Sequence, residues 1–598
     1  MRQHPRIQNL NNIKMKIEKI RHSLSHLLAM AVLKKFPDAK LGIGPIIENG
    51  FYYDFLLPES LAPENLKDFE KEINFLISQK LPFIGKKITA AEAKKIFKNQ
   101  PFKFELINEY AKEKRPLSIY KTGPSADGFV DLCAGDHIKN SGEINAEAFK
   151  LTSIAGAYWR GNEKNPQLQR IYGVAFESKK ELEEYLKMME EAGRCDHRVL
   201  NDRLDFFMIS EQVGKGLPLW LPKGYEILHK LEDYMYNLEK RNGYFHVLTP
   251  ILAKEDLYKK SGHLAHYKND MYAPLTIENE KYYLRPMNCP HHHEIYKHHK
   301  RSYRELPLRI AEFGNVYRFE RSGVLSGLAR ARGFIQNDSH IYTDEENLEK
   351  EIIAVLKLQK KVYDDFGIKD YWHRLSLPDF KNKEKFGDIK NKKIWQNGSD
   401  VLKRALKNTG QEFVEAVGEA SFYGPKIDIQ TKDIHGKEDT VATIQVDYYS
   451  SPRFNLFYTG ADGTEKYAVV IHRAIMGSFE RFFALLVEKT CGNLPLWIAP
   501  VQARLLAVSV KQKLYAEKLL IKLQENNISA ELAPTDETVG KRIREAELEK
   551  VPYILVVGDK ETENKTVNVR HYRRGLEGEI KIEKFVEKIK KEITGKII

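Results

Sequence analysis

The chain has 598 residues, of which 42% are hydrophobic and 30% charged, and its formal net charge is +13. This length allows three or four domains with separate cores, and the composition is typical of a globular protein. The longest apolar stretches, such as residues 27–33, are far shorter than the ~20 residues that cross a bilayer, and the basic start lacks the apolar segment of a secretory signal. Composition therefore excludes a helical membrane protein, and the positive charge weakly favours a polyanionic partner such as nucleic acid.

The first part of the chain, up to about residue 190, mixes helical and strand patterns. Apolar residues at spacings of three and four predict a helix over residues 14–36. The stretch 41–55 predicts a strand, an Asn-Gly turn and a second strand. A charged helix predicted over 179–200 then connects to the next part.

Two further parts follow. Residues 200–495 are richer in aromatic residues and contain long strands of antiparallel type, such as 309–320 and 440–449. Residues 496–598 alternate buried strands with amphipathic helices, which predicts an α/β domain. The fold class predicted is therefore multidomain α+β. The expected domains are 1–195, 196–495 and 496–598.

The cysteines of the chain are few and scattered. Cys133, Cys195, Cys289 and Cys491 do not form the closely spaced pattern of a disulfide framework. We therefore expect a protein of the reducing cytoplasm.

Residues 288–300, NCPHHHEIYKHHK, combine one cysteine with five histidines. A helix brings ligands together at positions i and i+4, and none of these histidines has another of the five at that spacing. The run therefore lacks the spacing to chelate a metal alone. If Cys289 is a ligand, we expect its partners in distant parts of the chain.

A predicted strand ending in Arg318 and Glu320 is followed by a loop and by a return strand from Arg332. Arginine at such a position suits a phosphate or a carboxylate, because its guanidinium fork binds two oxygens at once. Taken alone, this segment is better explained as a surface hairpin with ordinary charges.

Other segments change that interpretation. Three of them, in chain order, resemble the three signature motifs of class II aminoacyl-tRNA synthetases: RNGYFHVLTPIL (241–252), FGNVYRFERSGVLSGLARARGFIQNDSHIY (313–342) and GSFERFFALL (477–486). The match is narrowed by RPMNCP (285–290), FYGPKIDI (422–429) and IHRAIMGSFERF (471–482). Together these segments resemble the threonyl-tRNA synthetase family over nearly the whole chain.

The resemblance implies that the carboxylate of L-threonine attacks the α-phosphate of ATP, and that the threonyl group then passes to the 3′ end of tRNA(Thr). Such catalysis depends on positioning and charge neutralisation, without a covalent nucleophile. Arg318 is expected to hold the α-phosphate and the threonine carboxylate, and Glu320 a Mg²⁺ ion or the adenine amino group. Phe334 is expected to stack on adenine, with Arg330 and Arg481 facing the distal phosphates.

The resemblance also implies one zinc ion per chain, held by Cys289, His340 and His472. One sulfur and two nitrogen ligands with an open fourth position are typical of catalytic zinc, whereas a structural site would need a fourth protein ligand. An apolar pocket separates near-isosteric side chains such as threonine and valine only about 10²-fold. An open zinc can bind the amino and hydroxyl groups of threonine, and valine lacks that hydroxyl. The histidines at 291–293 and 298–299 are then expected on a solvated helix face.

The remaining threonine contacts follow from the same resemblance. They are expected from Gln336, Asp338, Tyr423 and Gln445, with Asp338 meeting the ammonium or the hydroxyl group. One departure concerns ATP, because the Trp-Gln pair that the family has before TIQVD is replaced here by Asp439 and Thr440.

Two histidine and cysteine motifs lie in the N-terminal part. HSLSH places His22 and His26 four residues apart, and CAGDH does the same for Cys133 and His137. Either pair alone is better explained by helix histidines and a buried thiol. Two pairs within one domain favour a shared pocket, and the set also suits zinc.

By resemblance, this pocket is an editing site that hydrolyses mischarged seryl-tRNA. Serine keeps the hydroxyl and loses only a methyl group, so the synthetic site rejects it by no more than ~1–3 kcal/mol. Tyr53 and Lys103 are expected to contact the tRNA 3′-terminal adenosine. The family pattern HSCAH and CRGPH is altered here, but the two histidine and Cys–His pairs are kept. The position of His22 leaves no room for the small ubiquitin-like domain that begins many bacterial members.

The C-terminal part, including VNVRHYRRG (567–575), resembles the anticodon-binding domain shared with prolyl, histidyl and glycyl enzymes. Asp536, Glu561 and Arg570 are expected to read anticodon bases. The first motif is predicted to lead from a helix into a strand that ends at Pro250. By resemblance, it also implies a homodimer that pairs through this segment.

Two alternatives stay open. One is another class II specificity, such as prolyl or seryl, which the set Cys289, His340 and His472 disfavours. The other is an RNA-binding relative without activity, which Arg318 and Arg481 disfavour.

Overall fold

The computed structural model describes residues 5–123, 128–161, 165–382, 386 and 392–596, with side chains from residue 15 onward. The chain divides into two compact units, Met1–Glu190 and Glu191–Ile598. Among the described residues, every helix is too short or too polar to cross a bilayer.

The first unit combines helices with two antiparallel sheets. Its helices are Pro5–Lys35, Glu64–Ser78, Ala90–Ile96 and Pro101–Lys112, and the helix Lys179–Arg194 spans the boundary between the units. Its strands are β1 Lys40–Leu41, β2 Ile46–Ile47, β3 Gly50–Leu56, β4 Phe83–Ile88, β5 Leu117–Thr122, β6 Phe129–Leu132, β7 Phe149–Tyr158 and β8 Gln167–Ala175. One sheet has the order β1-β3-β8-β7, with β2 on β3, and the other the order β4-β5-β6.

The hairpin predicted at 41–55 is present, and its turn explains the Asn-Gly pair. Asn49 adopts a positive φ of 62°, and Ile47 pairs with Gly50 across the turn. Asparagine tolerates this left-handed conformation better than most residues. A Cβ atom at Gly50 would lie 2.1 Å from the carbonyl oxygen of Gly173, so this position accepts only glycine.

The second unit is built on a large mixed sheet. Its strands up to residue 474 are β9 Phe207–Ile209, β10 Pro218–Trp220, β11 Tyr244–His246, β12 Leu252–Lys254, β13 Leu275–Ile277, β14 Glu280–Leu284, β15 Leu308–Tyr317, β16 Gly333–Thr343, β17 Tyr371–Leu377, β18 Phe413–Val417, β19 Lys426–Lys432, β20 Glu438–Asp447, β21 Phe457–Thr459, β22 Glu465–Tyr467 and β23 Val469–Ala474. The eight-stranded sheet has the order β11-β15-β16-β23-β20-β19-β17-β18. Only its two outer pairs, β11 with β15 and β17 with β18, are parallel.

Helices cover this sheet and bury its apolar face. The helices of the second unit up to residue 490 are His197–Leu204, Pro222–Arg241, Glu255–Lys260, His263–His266, Cys289–Lys297, Leu348–Asp365, Lys392–Asn408, Ser450–Phe454 and Phe479–Thr490. Fully buried side chains such as Leu231, Val362 and Phe482 pack with strand residues into one large core. The two strands predicted at 309–320 and 440–449 are confirmed as β15 and β20 within this sheet.

The C-terminal part has the predicted alternation of strands and helices. It contains β24 Ala503–Ala507, β25 Ala530–Leu532, β26 Tyr553–Val557, β27 Thr566–His571 and β28 Gly575–Lys581, with helices Lys513–Glu525, Val539–Leu548, Asp559–Asn564 and Ile582–Thr594. The sheet order is β25-β24-β26-β27-β28. Because β24 pairs in parallel with both β25 and β26, helices must cross over between these strands.

Two sequence-based predictions of local structure were wrong in detail. The helix predicted over 179–200 is interrupted, because Asp196 caps a new helix by accepting a hydrogen bond from the backbone N–H of Arg198 at 2.8 Å. The strand predicted to end at Pro250 ends at His246. Beyond it, the backbone N–H of Thr249 donates a hydrogen bond of 3.0 Å to the side-chain carboxylate of Glu312 and not to a backbone carbonyl of a neighbouring strand.

The cysteines also differ from the expectation of scattered, reduced thiols. Cys195 and Cys491 form a disulfide across 296 residues of sequence. Cys133 and Cys289 are free and buried. No sequence pattern predicted this disulfide, because the two residues lie far apart in the chain and meet only in the folded protein.

Candidate active site

Two neighbouring strands and one helix position the candidate metal ligands. His340 on β16 and His472 on β23 are direct cross-strand partners, so their side chains project from the same face of the sheet. Cys289 is the first residue of the helix Cys289–Lys297. One ligand atom from each of the three lies within 4.8 Å of the others, and all three residues are buried.

The donors of this group fit a metal ion. Nε2 of His340 is buried without a hydrogen-bond partner, while its Nδ1 lies 2.8 Å from Nδ1 of His292. Nε2 of His472 lies 2.9 Å from a carboxylate oxygen of Asp447. Each histidine thus uses one nitrogen for a protein partner and keeps the other for a ligand, as is usual at zinc sites.

Protonation of the group follows from its burial. Burial, with smaller contributions from Asp338 and Asp447, raises the pKa of the Cys289 thiol well above its usual range. Burial also lowers the pKa of His340 well below its usual range, so the imidazole is neutral. Metal binding here would release the thiol proton, because thiolate is the ligating form.

The prediction that His291, His292 and His293 lie on a solvated face was wrong. All three are buried, with 8%, 0% and 1% of their surface exposed. Nε2 of His292 lies 3.0 Å from the buried carboxylate of Glu312, and Nδ1 of His293 lies 2.9 Å from the hydroxyl of Tyr342. Only the last two histidines of the run are exposed.

One cavity of about 340 Å³ brings the predicted synthetic residues together. Its lining includes the three candidate metal ligands and the nine residues predicted for ATP and threonine: Arg318, Glu320, Arg330, Phe334, Gln336, Asp338, Tyr423, Gln445 and Arg481. These nine residues come from β16, β20, the loop before β16, the segment before β19 and the helix Phe479–Thr490.

The ATP-side residues form a cationic wall. Arg318 donates from Nε to the carbonyl oxygen of Pro286 at 3.1 Å, and its guanidinium carbon lies 5.3 Å from the ring centroid of Phe334. Arg330 donates from Nε to Glu320 at 3.1 Å. Burial lowers the pKa of Arg318 from its usual value, yet arginine stays charged at neutral pH. The wall can therefore neutralise a polyphosphate.

The opposite end of the cavity is polar and partly unsatisfied. The hydroxyl of Tyr423 donates to Oε1 of Gln445, whose amide donates to Thr443 at 2.9 Å. Oε1 of Gln336 is buried without a hydrogen-bond partner. Asp338 accepts a hydrogen bond of 3.0 Å from the side chain of Asn288. Such a pocket suits a small zwitterion with a polar side chain.

A second group of titratable side chains lies in the first unit. One ligand atom each from His22, His26, Cys133 and His137 lies within 4.8 Å of the others. Sγ of Cys133 lies 3.2 Å from Nε2 of His22 and 3.4 Å from Nε2 of His137. The two sequence motifs therefore meet, as predicted from their occurrence within one domain.

Three of these residues, His22, His26 and Cys133, line a cavity of about 760 Å³, whereas His137 does not. Lys103 lines it, whereas Tyr53 lies behind it with its whole side chain buried. Burial lowers the pKa of His22 and His26 and raises that of Cys133 to about 12. The site thus holds neutral imidazoles and a protonated thiol, which can orient a water molecule or a hydroxyl group.

Asp131 is a central residue of this site that the sequence did not reveal. Its carboxylate accepts a hydrogen bond of 2.5 Å from the hydroxyl of Tyr53 and forms an ion pair with Nζ of Lys103, also at 2.5 Å. It lies 3.7 Å from Nε2 of His26. A buried carboxylate needs such partners. The sequence feature that could have pointed to Asp131 is its position two residues before Cys133; it lies on β6.

Comparison with known proteins finds matches in both units. Residues 268–490 match the class II core domain of the tRNA synthetases for G, H, P, S and T, and residues 498–592 match the anticodon-binding domain. Residues 117–172 match the second additional domain of threonyl- and alanyl-tRNA synthetases. The threonine–tRNA ligase 1 of Bacillus subtilis is 46% identical over 572 residues, which cover 95% of this chain and 88% of the relative.

The chain belongs to the threonine–tRNA ligase family. The ligase of Streptococcus thermophilus is likewise 46% identical, over 96% of this chain and 88% of its own. Among solved structures, a fragment of threonyl-tRNA synthetase from Cryptosporidium parvum matches with a TM-score of 0.62 at 34% identity, covering 66% of this chain and 98% of its own. A putative threonyl-tRNA synthetase from Aeropyrum pernix matches with a TM-score of 0.57 at 27% identity, covering 67% of this chain and 96% of its own.

The residues predicted for anticodon reading in this ligase family are not gathered in one cavity. Asp536 lines a cavity of about 380 Å³ beside Arg504 and Lys541. Glu561 instead accepts a hydrogen bond from the N–H of Gly558 at 2.9 Å, which caps its own helix. Arg570 donates to Glu547 at 2.8 Å.

Several lining residues of the synthetic cavity were missed by sequence reasoning. Tyr267, Met287 and Lys426 line it, and Asn288 and Asp447 support its residues from behind. Met287 and Asn288 directly precede Cys289 within the matched segment RPMNCP, so their position was a usable signal. Tyr267 had none, because it lies in a short irregular segment.

Proposed function

We propose that this chain ligates L-threonine to tRNA(Thr) in an ATP-dependent reaction that passes through threonyl-adenylate. The observation that carries the proposal is the cavity of about 340 Å³, in which a Cys–His–His group and a cationic wall face each other. A small amino acid bound at the first and a triphosphate bound at the second would meet between them. Membership of the family supports the same reaction.

The roles of the ATP-side residues follow from charge and geometry. Arg318 neutralises the α-phosphate and the carboxylate of the attacking amino acid, and Phe334 beside it offers a face for adenine. Arg330 and Arg481 bind the distal phosphates, while Glu320 binds Mg²⁺ or the adenine amino group. Preorganised cations of this kind stabilise the charge that develops during phosphoryl attack.

Zinc is the proposed metal of Cys289, His340 and His472, because borderline-soft zinc favours mixed sulfur and nitrogen donors. Bound zinc would supply an open position for the amino and hydroxyl groups of threonine. Asp338, Gln336, Tyr423 and Gln445 would hold the remaining polar groups of the substrate. Valine would leave these polar partners unpaired, and buried unpaired groups are strongly disfavoured.

The first unit is proposed to hydrolyse seryl-tRNA(Thr). His22, His26, Cys133 and His137 would position the water and the ester, and Lys103 would contact the 3′-terminal adenosine. Tyr53 would act from behind through Asp131. An ion held by the four donors is the alternative, since the same residue types ligate zinc.

We propose domains at 1–195, 196–495 and 496–598, for editing, synthesis and anticodon binding. Asp536, Glu561 and Arg570 are proposed anticodon contacts. Of these, Asp536 has the strongest support because it lines a cavity.

A homodimer is proposed through the segment ending at Pro250. Phe245 on β11 and Leu248 just after it are 64% and 88% exposed, and β11 is an edge strand of the large sheet. Exposed apolar side chains at a sheet edge are typical of an interface.

The proposed location is the cytoplasm, where tRNA is charged. The Cys195–Cys491 bond argues in the other direction, because disulfides are rare there.

Amino-acid-dependent exchange between ATP and pyrophosphate tests the proposal. We expect exchange with threonine, weaker exchange with serine and almost none with valine. Exchange that depends on proline, or on serine alone, would assign another class II specificity. If no amino acid supports exchange, the chain is better interpreted as an RNA-binding relative without synthetic activity.

A further inference from the structure

His197 lies outside the synthetic cavity but contacts the loop that supplies one of its walls. The residue is the first of the helix His197–Leu204 and is only 2% exposed. Its Nδ1 lies 2.6 Å from Oε1 of Glu488. Its Nε2 accepts a hydrogen bond of 3.1 Å from the backbone N–H of Leu328.

These two contacts fix the protonation of the ring. The N–H of Leu328 can only donate, so Nε2 must present a lone pair. The carboxylate of Glu488 accepts, so Nδ1 must carry the proton. A neutral imidazole of this one tautomer satisfies both partners. With both nitrogens used by the protein, His197 is better explained as a bridge than as a metal ligand.

The bridge ends in the loop that bears Arg330. Leu328 is 1% exposed, and the next residue, Ala329, accepts a hydrogen bond of 3.0 Å from Nε of Arg481. The helix Phe479–Thr490 carries both Arg481 and Glu488. Two successive loop residues are thus held from the same helix, one directly and one through His197.

The ring of His197 is tightly packed against Gly327. Gly327 has a positive φ of 49°, and a Cβ atom there would lie 2.4 Å from Nε2 of His197. A disulfide also links the two segments that carry His197 and Glu488. Cys195, two residues before His197, is bonded to Cys491, three residues after Glu488.

We propose that His197 is a positioning residue that holds residues 327–330 in the arrangement that binds ATP. The inference rests on the proposed function, because it assigns Arg330 to the distal phosphates of ATP. Loss of the Nε2 acceptor would free the N–H of Leu328 and let the loop move away from Arg481. Binding of ATP would weaken, whereas the threonine end of the cavity would not change.

Two substitutions separate positioning from packing. In His197→Gln, the side-chain amide reaches the place of Nε2 and its oxygen can accept from Leu328. In His197→Asn, the amide reaches only the place of Nδ1, so the contact with Glu488 can persist and that with Leu328 is lost. We expect His197→Asn to raise the KM for ATP in the exchange reaction about tenfold, the effect of one lost hydrogen bond near a charged site. His197→Gln should stay within about threefold of wild type.

The KM for threonine is the internal control and should change less than about twofold in both variants. Equal effects of the two substitutions on ATP, or an equal rise in the KM for threonine, would overturn the inference. If His197→Asn does not fold, Gly327→Ala tests the same contact from the loop side and should raise the KM for ATP selectively. The wild-type enzyme tests the proposed function separately, since failure of threonine-dependent exchange there would not concern His197.

Discussion

His292 and His340 lie with their Nδ1 atoms 2.8 Å apart in the core of the second unit, and Glu312 lies 3.0 Å from the other nitrogen of His292. If Glu312 accepts from Nε2 of His292, then Nδ1 of His292 must accept the proton of His340. Nε2 of His340 is then left as a lone pair directed at the ligand group. The row of buried histidines thereby determines how one candidate metal ligand is oriented.

Replacement of Cys289 tests the metal group itself. We expect wild-type protein to contain about one zinc per chain and Cys289→Ala to lose both the zinc and threonine-dependent exchange. Cys133→Ala is the matched control, because it removes the other free buried thiol and should keep both properties. Metal analysis of the purified proteins decides the outcome. Zinc retained by Cys289→Ala would contradict the assignment, and two zinc ions in wild type would place one at the editing site.

His292→Phe tests the supporting row of histidines. The substitution removes the acceptor for His340 while keeping an aromatic ring of similar size, so zinc affinity should fall about 10- to 100-fold. Competition with a chelator measures this. His299→Phe, at an exposed position of the same histidine run, should bind zinc as wild type does. Equal affinities for the two variants would mean that the contact with His292 does not orient His340.

A double substitution separates the two proposed activities. His22→Ala with His26→Ala should leave threonine activation unchanged, since both residues lie in the other unit from the metal group. Deacylation of pre-formed seryl-tRNA(Thr) should fall by roughly 10² or more, the usual effect of removing positioned acid–base groups. His298→Ala with His299→Ala is the control and should deacylate normally. A wild-type protein that leaves this ester intact would refute the editing proposal.

The exposed segment after β11 tests the dimer. Leu248→Asp places a charge on the proposed interface, where like charges would face each other across a two-fold axis. We expect a dimer for wild type at micromolar concentration and a monomer for the variant, as measured by light scattering. Leu576→Asp, at a residue that is 68% exposed on β28, should remain dimeric. Monomeric wild type with full activity would exclude the interface.

Glu480 predicts a pH dependence of stability. Burial raises its pKa to about 7, although the N–H of Ile335 donates to the carboxylate at 2.9 Å. Between the ordinary carboxyl pKa and pH 7, the folded chain holds a proton that the unfolded chain has released. The free energy of unfolding therefore falls as pH rises through that window, and above pH 7 the loss due to Glu480 is roughly 3 kcal/mol.

Glu480→Gln removes this cost because the amide oxygen still accepts from Ile335. The variant should melt at a higher temperature than wild type at pH 8 and at nearly the same temperature at pH 5. The exposed Glu419→Gln should show no such difference. An equal change at both pH values would mean that Glu480 does not gain its proton on folding.

The sequence by itself determined the family and predicted several of its elements in the right order. It also gave Cys289, His340 and His472 as candidate ligands, although 51 and 132 residues separate them, because the segments around them resemble one family. Local patterns gave β15, β20 and the alternating C-terminal elements, since alternation and helical periodicity depend on neighbouring residues only.

Tertiary structure alone decided which polar side chains are buried. His292, Glu312 and Asp131 carry polar groups that are buried only when they have partners, and these partners come from other elements of the fold. The same reason applies to the Cys195–Cys491 bond and to His197, whose two partners lie more than 100 residues away. Such contacts produce no periodic pattern in the sequence, because they join residues of different elements and not neighbours within one helix or strand.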